Sequence, residues 1–313
     1  MPNYDIVILD AMNHAYRCWW PLRASTTRLG RDKSVEYGFI LGLLTLLQRH
    51  TGALLVLAWD GQPVRQIEEN PTYKSGRAQK HIHRPADWHY RCDQLREALA
   101  GVFHTLYDPV GEADQEIARF VRGTTGAHVV IVSTDADLLM LLNDCVDVLR
   151  PGCKTGSYRE AVFQRECGFK PESFVLFRAL VGDRSDNIRG VLRFPRAAAQ
   201  HLAASFGTVN QLYQELHRIS LHPALGRLTV RQRQSLQTGE QRVRANAQLI
   251  DLLAETAPAH LSRPVGDPGL LLSLLRDLDS TDLADAMVWE LAVRQGQEGL
   301  NTTLPMQCVN TGD

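Results

Sequence analysis

The sequence predicts an α/β fold, in which a mostly parallel sheet is flanked by helices and is followed by a helical region. Two observations lead to this prediction. In the first half of the chain, short apolar runs rich in β-branched residues alternate with amphipathic stretches of helical length. After Gly168 the alternation stops, and only helical patterns follow.

Each element is predicted from its own pattern. Apolar runs at 4–9, 53–59 and 128–132 have the length of strands, and helical patterns at 35–49, 87–99 and 113–122 lie between or after them. Beyond residue 168, Pro171 opens a predicted helix. A turn at 266–269 precedes the last helical stretch, and a loose tail is expected from residue 296. The helices predicted in this half are 171–181, 196–206, 241–253 and a stretch that reaches about 295.

The composition is that of an ordinary globular protein, because 44% of the 313 residues are hydrophobic and 22% are charged. No apolar run approaches the roughly 18 residues of a membrane-spanning helix. The first residues lack the basic start and apolar run of a signal peptide. The six cysteines contain no CxxC pair, so neither a zinc site nor a disulfide framework is indicated. We therefore expect a cytoplasmic protein without a membrane partner.

Charge is unevenly distributed, although the formal net charge is only -1. Residues 178–244 are rich in arginine and poor in acids, whereas residues 251–313 carry mostly acids. A basic middle and an acidic end allow one face of a nearly neutral protein to contact nucleic acid. An ordinary solvated surface is the alternative explanation of these runs.

The three predicted strands lead to aspartates, namely Asp10, Asp60 and Asp135. Because ligands bind at the carboxyl ends of strands in open parallel sheets, we expect these side chains to converge. Many carboxylates in one place repel one another unless cations neutralise them. Oxygen ligands without His or Cys favour Mg²⁺ or Mn²⁺ over zinc. The remaining acids that we assign to this site are Glu112, Asp114, Asp137, Asp183 and Asp186.

Taken singly, each acid has a simpler explanation, since an aspartate after a strand is often a turn or helix-capping residue. Glu112 and Asp114 would also stabilise a helix N-terminus. The joint pattern has no common structural reason and favours phosphodiester hydrolysis by two ions about 4 Å apart. No Walker loop, GxGxxG or GxSxG motif occurs, so nucleotide binding and serine hydrolysis have no support.

The order and context of these acids resemble the 5′ nuclease family, which includes bacteriophage flap endonucleases and the 5′–3′ exonuclease domain of bacterial DNA polymerase I. The resemblance covers roughly residues 4–254. Its most specific segment is GDRSDNI at 182–188, which is similar to the family's GDxSDNI. The other segments are ILD and NHAYR within 8–17, AWDG at 58–61, PTYKSGR at 71–77, GEAD at 111–114, STDADLL at 133–139 and RVRAN at 242–246.

This resemblance implies a PIN-like or resolvase-like sheet, a helical arch, and a helical region of the helix-hairpin-helix type. It also implies two divalent ions, Mg²⁺ or Mn²⁺, held by two groups of acids. The first group would be Asp10, Asp60, Glu112, Asp114 and Asp135. The second group would be Asp137, Asp183 and Asp186.

The PTYKSGR segment resembles the foot of the arch, through which the family threads a 5′ strand. By this resemblance, Lys74 and Arg77 would position the scissile phosphate and offset its developing charge. Tyr73 aligns with a tyrosine on which the terminal base stacks. Lys80 and Arg84 would add contacts to the phosphates of the single strand.

Three departures from the family pattern stand out. Gln115 replaces the second aspartate of the family's EADD element, and Ala11 stands where glycine is usual. The family's helix-hairpin-helix segment reads PGVPGIGxKTA, whereas this chain reads RGVLRFPRA at 189–197, without the Gly-Ile-Gly turn. A cation held by that backbone is therefore not expected. Direct phosphate contacts would come from Arg189, Arg193 and Arg196.

We expect three regions: an α/β nuclease core at 1–168 with the arch at about 71–100, a helical DNA-binding region at 169–260, and an acidic helical segment with a tail at 261–313. The expected function is a freestanding, monomeric, metal-dependent 5′ nuclease, either a flap endonuclease or a 5′–3′ exonuclease. Its substrate would be DNA with a 5′ flap or 5′ end, with an RNA/DNA hybrid left open. The alternatives are a PIN-type ribonuclease and a DNA-junction-binding protein with weakened catalysis.

Overall fold

The structure is a computed structural model that describes residues 3–23, 30, 32–75, 84–218, 222–265 and 267–298, with side chains described as far as residue 294. In this part of the chain, a seven-stranded sheet with the order β6-β5-β4-β1-β2-β3-β9 forms the centre. A separate two-stranded hairpin is made by β7 and β8. The strands are β1 (Ile6–Asp10), β2 (Leu54–Trp59), β3 (His104–Tyr107), β4 (Val129–Val132), β5 (Val146–Leu149), β6 (Ser157–Tyr158), β7 (Gly182–Asp183), β8 (Ile188–Arg189) and β9 (Leu261–Ser262).

The sheet is mostly parallel, which confirms the predicted fold class. β1 lies at its centre and pairs in parallel with β2 and β4, while β3 and β5 extend the parallel part on either side. Only the short edge strands β6 and β9 run antiparallel to their neighbours among the described residues. β1, β2 and β4 correspond to the predicted strands. β3 and β5 were not predicted, because their four residues carry no continuous apolar run.

Helices cover both faces of the sheet, and β1 shows why. Its side chains alternate, so that Ile6 and Ile8 join one buried cluster and Val7 and Leu9 join the other. A strand buried on both faces reads as a continuous apolar run, as this one does. The helices of the α/β part are α1 (Ala11–Leu22), α2 (Ser34–Arg49), α3 (Val64–Glu69), α4 (Trp88–Ala100), α5 (Ala113–Gly123) and α6 (Glu160–Cys167).

The helix α1 was not predicted, and it begins at the residue after Asp10. The Asp10 side chain accepts a hydrogen bond from the Asn13 backbone N–H and so caps the helix. Trp19 on α1 packs in the same buried cluster as Phe39 on α2 and Trp88 on α4. This packing holds α1 against one face of the sheet, directly after Asp10 at the end of β1.

The second half of the chain is mainly helical, with one difference from the prediction. The expectation of helices alone beyond Gly168 is wrong for β7, β8 and β9, which are strands of only two residues and carry no periodic signal. β9 returns to the sheet and pairs with β3. The helices are α7 (Phe174–Val181), α8 (Arg196–Ser205), α9 (Val209–Leu216), α10 (Pro223–Gly226), α11 (Val230–Thr238), α12 (Glu240–Ile250), α13 (Pro268–Asp277) and α14 (Thr281–Glu298).

The acidic C-terminal segment packs on the sheet domain. Leu271 and Leu275 of α13 and Met287 of α14 belong to the buried cluster that also contains Trp19 and Phe39. The final helix extends to Glu298, which is close to the predicted end. None of the described helices combines the length and apolarity needed to cross a membrane.

Candidate metal centre

The carboxyl edge of the central strands brings together the three aspartates that follow them. Asp10 is the last residue of β1, Asp60 follows β2 directly, and Asp135 lies three residues beyond β4. The Ser133 hydroxyl donates to Asp10 Oδ2 at 2.7 Å. The Ala113 backbone N–H donates to Asp60 Oδ1 at 2.8 Å, which ties the start of α5 to this edge. The predicted convergence therefore follows from strand order.

The start of α5 supplies two further acids. Glu112 precedes the first residue of the helix and is buried, and Asp114 is its second residue. Tyr73 donates its hydroxyl hydrogen bond to Glu112 Oε2 at 2.9 Å, and the Lys74 ammonium donates to Glu112 Oε1. The positive end of the helix dipole and the Lys74 charge partly offset the two carboxylates.

Burial and mutual repulsion raise the pKa values of two acids of the first group. Burial, followed by the charges of Asp60 and Asp135, raises the pKa of Asp10 to about 7. Burial and the neighbouring Glu112 raise the pKa of Asp114 well above its ordinary value. These shifts mean that closely spaced negative charges are costly here unless a cation is bound.

The second group of acids also comes together. One carboxylate oxygen from each of Asp137, Asp183 and Asp186 lies within 4.8 Å of the others, a spacing that could hold a metal ion. The Asp137 backbone N–H donates to Asp135 Oδ1 at 2.9 Å, so the two groups are adjacent. Burial, followed by the charge of Asp135, raises the pKa of Asp137 to about 7.

Arg178 is a charged residue of this centre that the sequence alone did not indicate. Its Nη2 atom lies 2.8 Å from Asp137 Oδ1 and also binds the Asp183 carboxylate. Burial opposes ionisation of Asp183, but hydrogen bonds from Ser185 and the charge of Arg178 lower its pKa overall. The only sequence signal was the place of Arg178 on the helix that leads into GDRSDNI, and that spacing alone indicates no contact.

Gln115, which replaces an aspartate of the family pattern, forms two side-chain hydrogen bonds. The Glu112 backbone N–H donates to Gln115 Oε1 at 3.3 Å, and Gln115 Nε2 donates to Glu255 Oε1 at 2.9 Å. Glu255 is in turn bound by Arg119 Nη2 at 3.0 Å and by Arg65 Nη1 at 2.9 Å. Gln115 thus connects the N-terminus of α5 to an ion-pair network centred on the buried Glu255. Glu255 could not be found from sequence, because it lies 140 residues away.

The donor set fits hard divalent cations. All eight residues assigned to the two groups are aspartate or glutamate, so the ligand atoms would be carboxylate oxygens. Such oxygen ligands favour Mg²⁺ or Mn²⁺. Burial, followed by the charges of neighbouring carboxylates, raises the pKa of Asp10 and of Asp137, and a bound divalent ion would stabilise their ionised forms.

Of the basic residues that were predicted to lie beside the acids, one contacts an acid and another packs against aromatic rings. Lys74 contacts Glu112, its φ is +55°, and its Nζ lies 4.9 Å from the centre of the Tyr73 ring. The Arg84 guanidinium lies 4.8 Å from the ring centres of both Tyr16 and Trp88, so it packs against aromatic side chains. Two further predicted contacts, Arg77 and Lys80, lie outside the described residues.

The three arginines predicted to contact the duplex follow Asp186 closely in sequence and differ in their surroundings. Arg189 and Arg193 are exposed. Arg196 is exposed too, but its guanidinium lies 4.6 Å from the centre of the Phe177 ring. Arg193 adopts φ +53°, a left-handed conformation that glycine adopts more easily.

A match to a known protein family shows which family this chain belongs to. Residues 5–168, more than half of the chain, match the sequence model of the 5'-3' exonuclease N-terminal resolvase-like domain. The chain belongs to this family. The resemblance to 5′ nucleases inferred from the motifs is therefore confirmed, and the matched residues include both the central strands and the start of α5.

Curated relatives of this 5'-3' exonuclease family member are bacterial polymerases. The chain is 31% identical over 223 residues to the thermostable DNA polymerase I of Thermus thermophilus, which covers 70% of this chain and 26% of the polymerase. DNA polymerase I of Deinococcus radiodurans is 28% identical over 221 residues, covering 70% of this chain and 22% of that protein. The chain thus spans about a quarter of the length of these relatives.

Solved structures share the fold of this family member. A bacteriophage T5 flap endonuclease, in a pseudo-enzyme-product complex with DNA and metal ions, superposes with a TM-score of 0.64 at 19% identity, covering 93% of this chain and 99% of that chain. Flap endonuclease-1 from Methanococcus jannaschii superposes with a TM-score of 0.60 at 13% identity, covering 94% of both chains. Helices around a mostly parallel sheet are common to all of them.

Proposed function

We propose that this protein is a divalent-metal-dependent 5′ nuclease that hydrolyses phosphodiester bonds of DNA near single-strand/duplex junctions. The observation that carries the proposal is the adjacency of the two acid groups beside the carboxyl ends of β1, β2 and β4, with the Lys74 ammonium on Glu112. Family membership and the names of the relatives, a polymerase I and a flap endonuclease, support the same activity.

Two ions, Mg²⁺ or Mn²⁺, fit the two groups of acids. We assign the first ion to Asp10, Asp60, Glu112, Asp114 and Asp135, and the second to Asp137, Asp183 and Asp186. When bound, such ions lower the pKa of a water nucleophile and stabilise the leaving oxygen of the phosphodiester.

Neighbouring side chains orient the acids of this site and supply positive charge beside them. Ser133 and Asn13 orient the carboxylate of Asp10 through hydrogen bonds to its two oxygens. Lys74 carries the positive charge nearest to Glu112 that the structure describes, and we assign it the task of positioning the scissile phosphate and offsetting its developing charge. Arg77 is assigned the same task on the strength of the PTYKSGR motif alone.

The proposed substrate is DNA with a 5′ flap or a 5′ end, bound by a cytoplasmic monomer. Single-strand contacts are assigned to Tyr73, Lys80 and Arg84 beside Lys74 and Arg77. The T5 flap endonuclease, whose fold this chain shares, has been crystallised with DNA, which supports DNA as the ligand. The experiment below also tests whether a substrate that combines RNA and DNA is cleaved.

The decisive experiment compares substrates in one assay. Purified protein is given a 5′-labelled flap duplex, the same duplex with RNA in the flap, and an RNA hairpin, each with Mg²⁺ and with EDTA. We expect cleavage near the junction of the flap duplex with Mg²⁺ and none with EDTA. Cleavage of the RNA hairpin alone would favour a PIN-type ribonuclease. Tight binding of the flap without cleavage would favour a junction-binding protein.

A further inference from the structure

A groove separate from the metal centre lies between α4 and α13. It encloses about 600 Å³ and is lined by one face of each helix, with the residues just before α2 at one end. Its lining residues recur every three or four positions, so each helix contributes a continuous stripe. The spacing is seen in Tyr90, Gln94 and Glu97 on α4 and in Leu270, Ser273 and Asp277 on α13. The eight acids assigned to metal ions are not among the described residues that line this groove.

Backbone contacts hold the groove at both ends. Gly101, which follows α4, packs against the residue before α13, because a β-carbon there would lie 3.1 Å from the Asp267 carbonyl carbon. Lys33 Nζ, just before α2, donates to the carbonyl oxygen of Leu278 at 3.2 Å, directly after α13. The end of α4 therefore meets the start of α13, and the end of α13 meets the start of α2.

The lining of the groove is mainly acidic, with five acids and two basic residues. Both basic residues already have partners, since Arg91 binds the carboxylates of Asp32 and Glu36 and Lys33 binds a carbonyl oxygen. The three remaining acids are exposed, and their side chains take part in no hydrogen bond or ion pair within the part of the chain that the structure describes. These acids are Asp87, Glu97 and Asp277.

The charge of the groove selects a cationic ligand. Three carboxylates without partners repel the phosphates of nucleic acid, whereas each of them can accept hydrogen bonds from a lysine or arginine side chain. The groove also offers apolar surface, because Tyr90 is 64% exposed and Leu270 is 48% exposed. Lysine and arginine have aliphatic stems that pack on such surface, and their charged groups also bind over aromatic rings. A basic side chain thus matches both properties of the lining.

The positions of the three acids indicate an elongated ligand. Asp87 directly precedes α4 and Glu97 lies in its last turn, which separates them by about 15 Å along the helix axis. Asp277 is the last residue of α13, on the opposite wall. An extended polypeptide spans about 15 Å with roughly five residues. A short extended segment with basic residues at both ends has the length and charge to reach these acids.

We propose that the groove between α4 and α13 binds an extended segment, rich in lysine or arginine, of a partner protein. Basic side chains of the segment pair with Asp87 and Asp277 at one end of the groove and with Glu97 at the other. Their aliphatic stems pack on Tyr90 and Leu270. This inference does not depend on nuclease activity, and the bound segment leaves the metal centre accessible because the groove shares no lining residue with the pocket around Glu112.

The test measures binding of a fluorescein-labelled oligopeptide of alternating lysine and alanine by fluorescence anisotropy at low salt. Ca²⁺ is present throughout to occupy the metal-centre acids. The groove variant Asp87→Asn, Glu97→Gln, Asp277→Asn should bind the peptide about tenfold more weakly, since three exposed ion pairs of modest strength are lost. Ser273→Trp keeps the charge but fills the groove, and it should weaken binding to a similar extent. The groove variant should unfold at the wild-type temperature, because its replaced side chains are exposed.

A matched control separates the groove from net charge. Asp144→Asn, Asp285→Asn and Glu68→Gln together remove the same charge from exposed positions outside the groove, and this variant should bind the peptide like the wild type. Equal losses in the groove and control variants, or full affinity in Ser273→Trp, would overturn the proposal.

Two further measurements test other cationic occupants of the groove. Self-association of the wild type in analytical ultracentrifugation that the groove variant loses would assign the groove to the arginine-rich stretch 178–244 of a second copy. Spermidine that binds as tightly as the peptide, and only when the three acids are present, would assign it to a polyamine. Either result would overturn the proposal of a partner protein. Cleavage of a 5′ flap is scored separately and should be equal in the wild type and the groove variant, so failure of the nuclease assignment and failure of the groove are distinguishable.

Discussion

The Arg178 guanidinium lies 2.8 Å from the carboxylate of Asp137, inside the second group of acids, and it also binds Asp183. All three side chains are largely buried. Arg178 therefore neutralises part of the charge that a second metal ion would neutralise. Breaking a buried ion pair leaves an uncompensated charge, which commonly costs about 3 to 5 kcal/mol.

From this relationship we predict that Arg178→Met lowers the free energy of unfolding of the metal-free protein by about 3 kcal/mol. The same variant should bind Mn²⁺ more tightly, because three carboxylates then face the ion without a competing cation. Chemical unfolding with EDTA and calorimetric titration with Mn²⁺ measure the two effects. Arg178→Lys should lie between the variant and the wild type. Weaker Mn²⁺ binding by a folded Arg178→Met protein would contradict this role.

The two groups of acids should differ in their effect on cleavage. Asp186→Asn alters only the second group, so we predict a smaller loss of rate than in Asp10→Asn. Added Mn²⁺ should partly restore Asp186→Asn and should not restore Asp10→Asn. Single-turnover cleavage of a 5′ flap over a Mn²⁺ titration measures both variants. Equal losses that Mn²⁺ leaves untouched would show that the division into two groups is wrong.

Lys74 should act on rate rather than on affinity. Its ammonium contacts Glu112 at the centre, so its charge would act on the scissile phosphate. We predict that Lys74→Ala lowers the single-turnover rate while the affinity for a flap substrate changes little. Lys170→Ala, at an exposed position where the ammonium pairs with Glu172, is the matched control and should alter neither quantity. A hundredfold loss of affinity with an unchanged rate would refute the role given to Lys74.

His14 predicts a pH dependence of stability that is independent of the metal centre. Its ring is buried, Nε2 lies 3.1 Å from the Phe39 carbonyl oxygen, and burial followed by the charge of Arg17 lowers its pKa to about 3. Below the ordinary histidine pKa of about 6.5, the unfolded chain takes up a proton that the folded protein excludes. Stability from this group is therefore complete above that pKa and is lost as the pH falls towards 3.

Between about pH 7 and pH 5, wild type should lose about 2 kcal/mol more unfolding free energy than His14→Gln, because each pKa unit corresponds to 1.36 kcal/mol. Urea unfolding at the two pH values, with EDTA present, measures this difference. The metal-site acids are common to both proteins and cancel in the comparison. Identical pH dependence in the two proteins would show that His14 takes up its proton in the folded state.

The sequence allowed prediction of the parts of the fold that carry strong local signals. The strands containing Ile8, Val56 and Ile131 were predicted because a parallel strand buried on both faces is continuously apolar. Strand order then explains why Asp10, Asp60 and Asp135 converge. β3 and β5 were missed because four residues give too short a pattern.

Contacts between distant segments were beyond prediction. Arg178 was counted only as part of a basic stretch, since its contact with Asp137 depends on how α7 packs beside the sheet. Glu255 meets Gln115 only because the chain returns past α5 after α12. The start of α1 was missed because Asp10 both ends a strand and caps a helix. Metal ligation by the eight acids stays a prediction.

Asp135→Asn provides the most direct test of the nuclease assignment. Asp135 lies between the two acid groups, since its carboxylate accepts from the Asp137 N–H and its charge raises the pKa of Asp10. Replacing it should disrupt metal placement while leaving the basic surface intact. The matched control is Asp144→Asn, which makes the same change at an exposed position.

The measurement is Mg²⁺-dependent, single-turnover cleavage of a 5′-labelled flap duplex by the wild type, Asp135→Asn and Asp144→Asn, with binding to the same duplex measured in parallel. We predict that Asp135→Asn abolishes cleavage and largely preserves binding, whereas Asp144→Asn cleaves like the wild type. Near-normal turnover by purified Asp135→Asn would contradict a metal-dependent nuclease centre at this edge of the sheet.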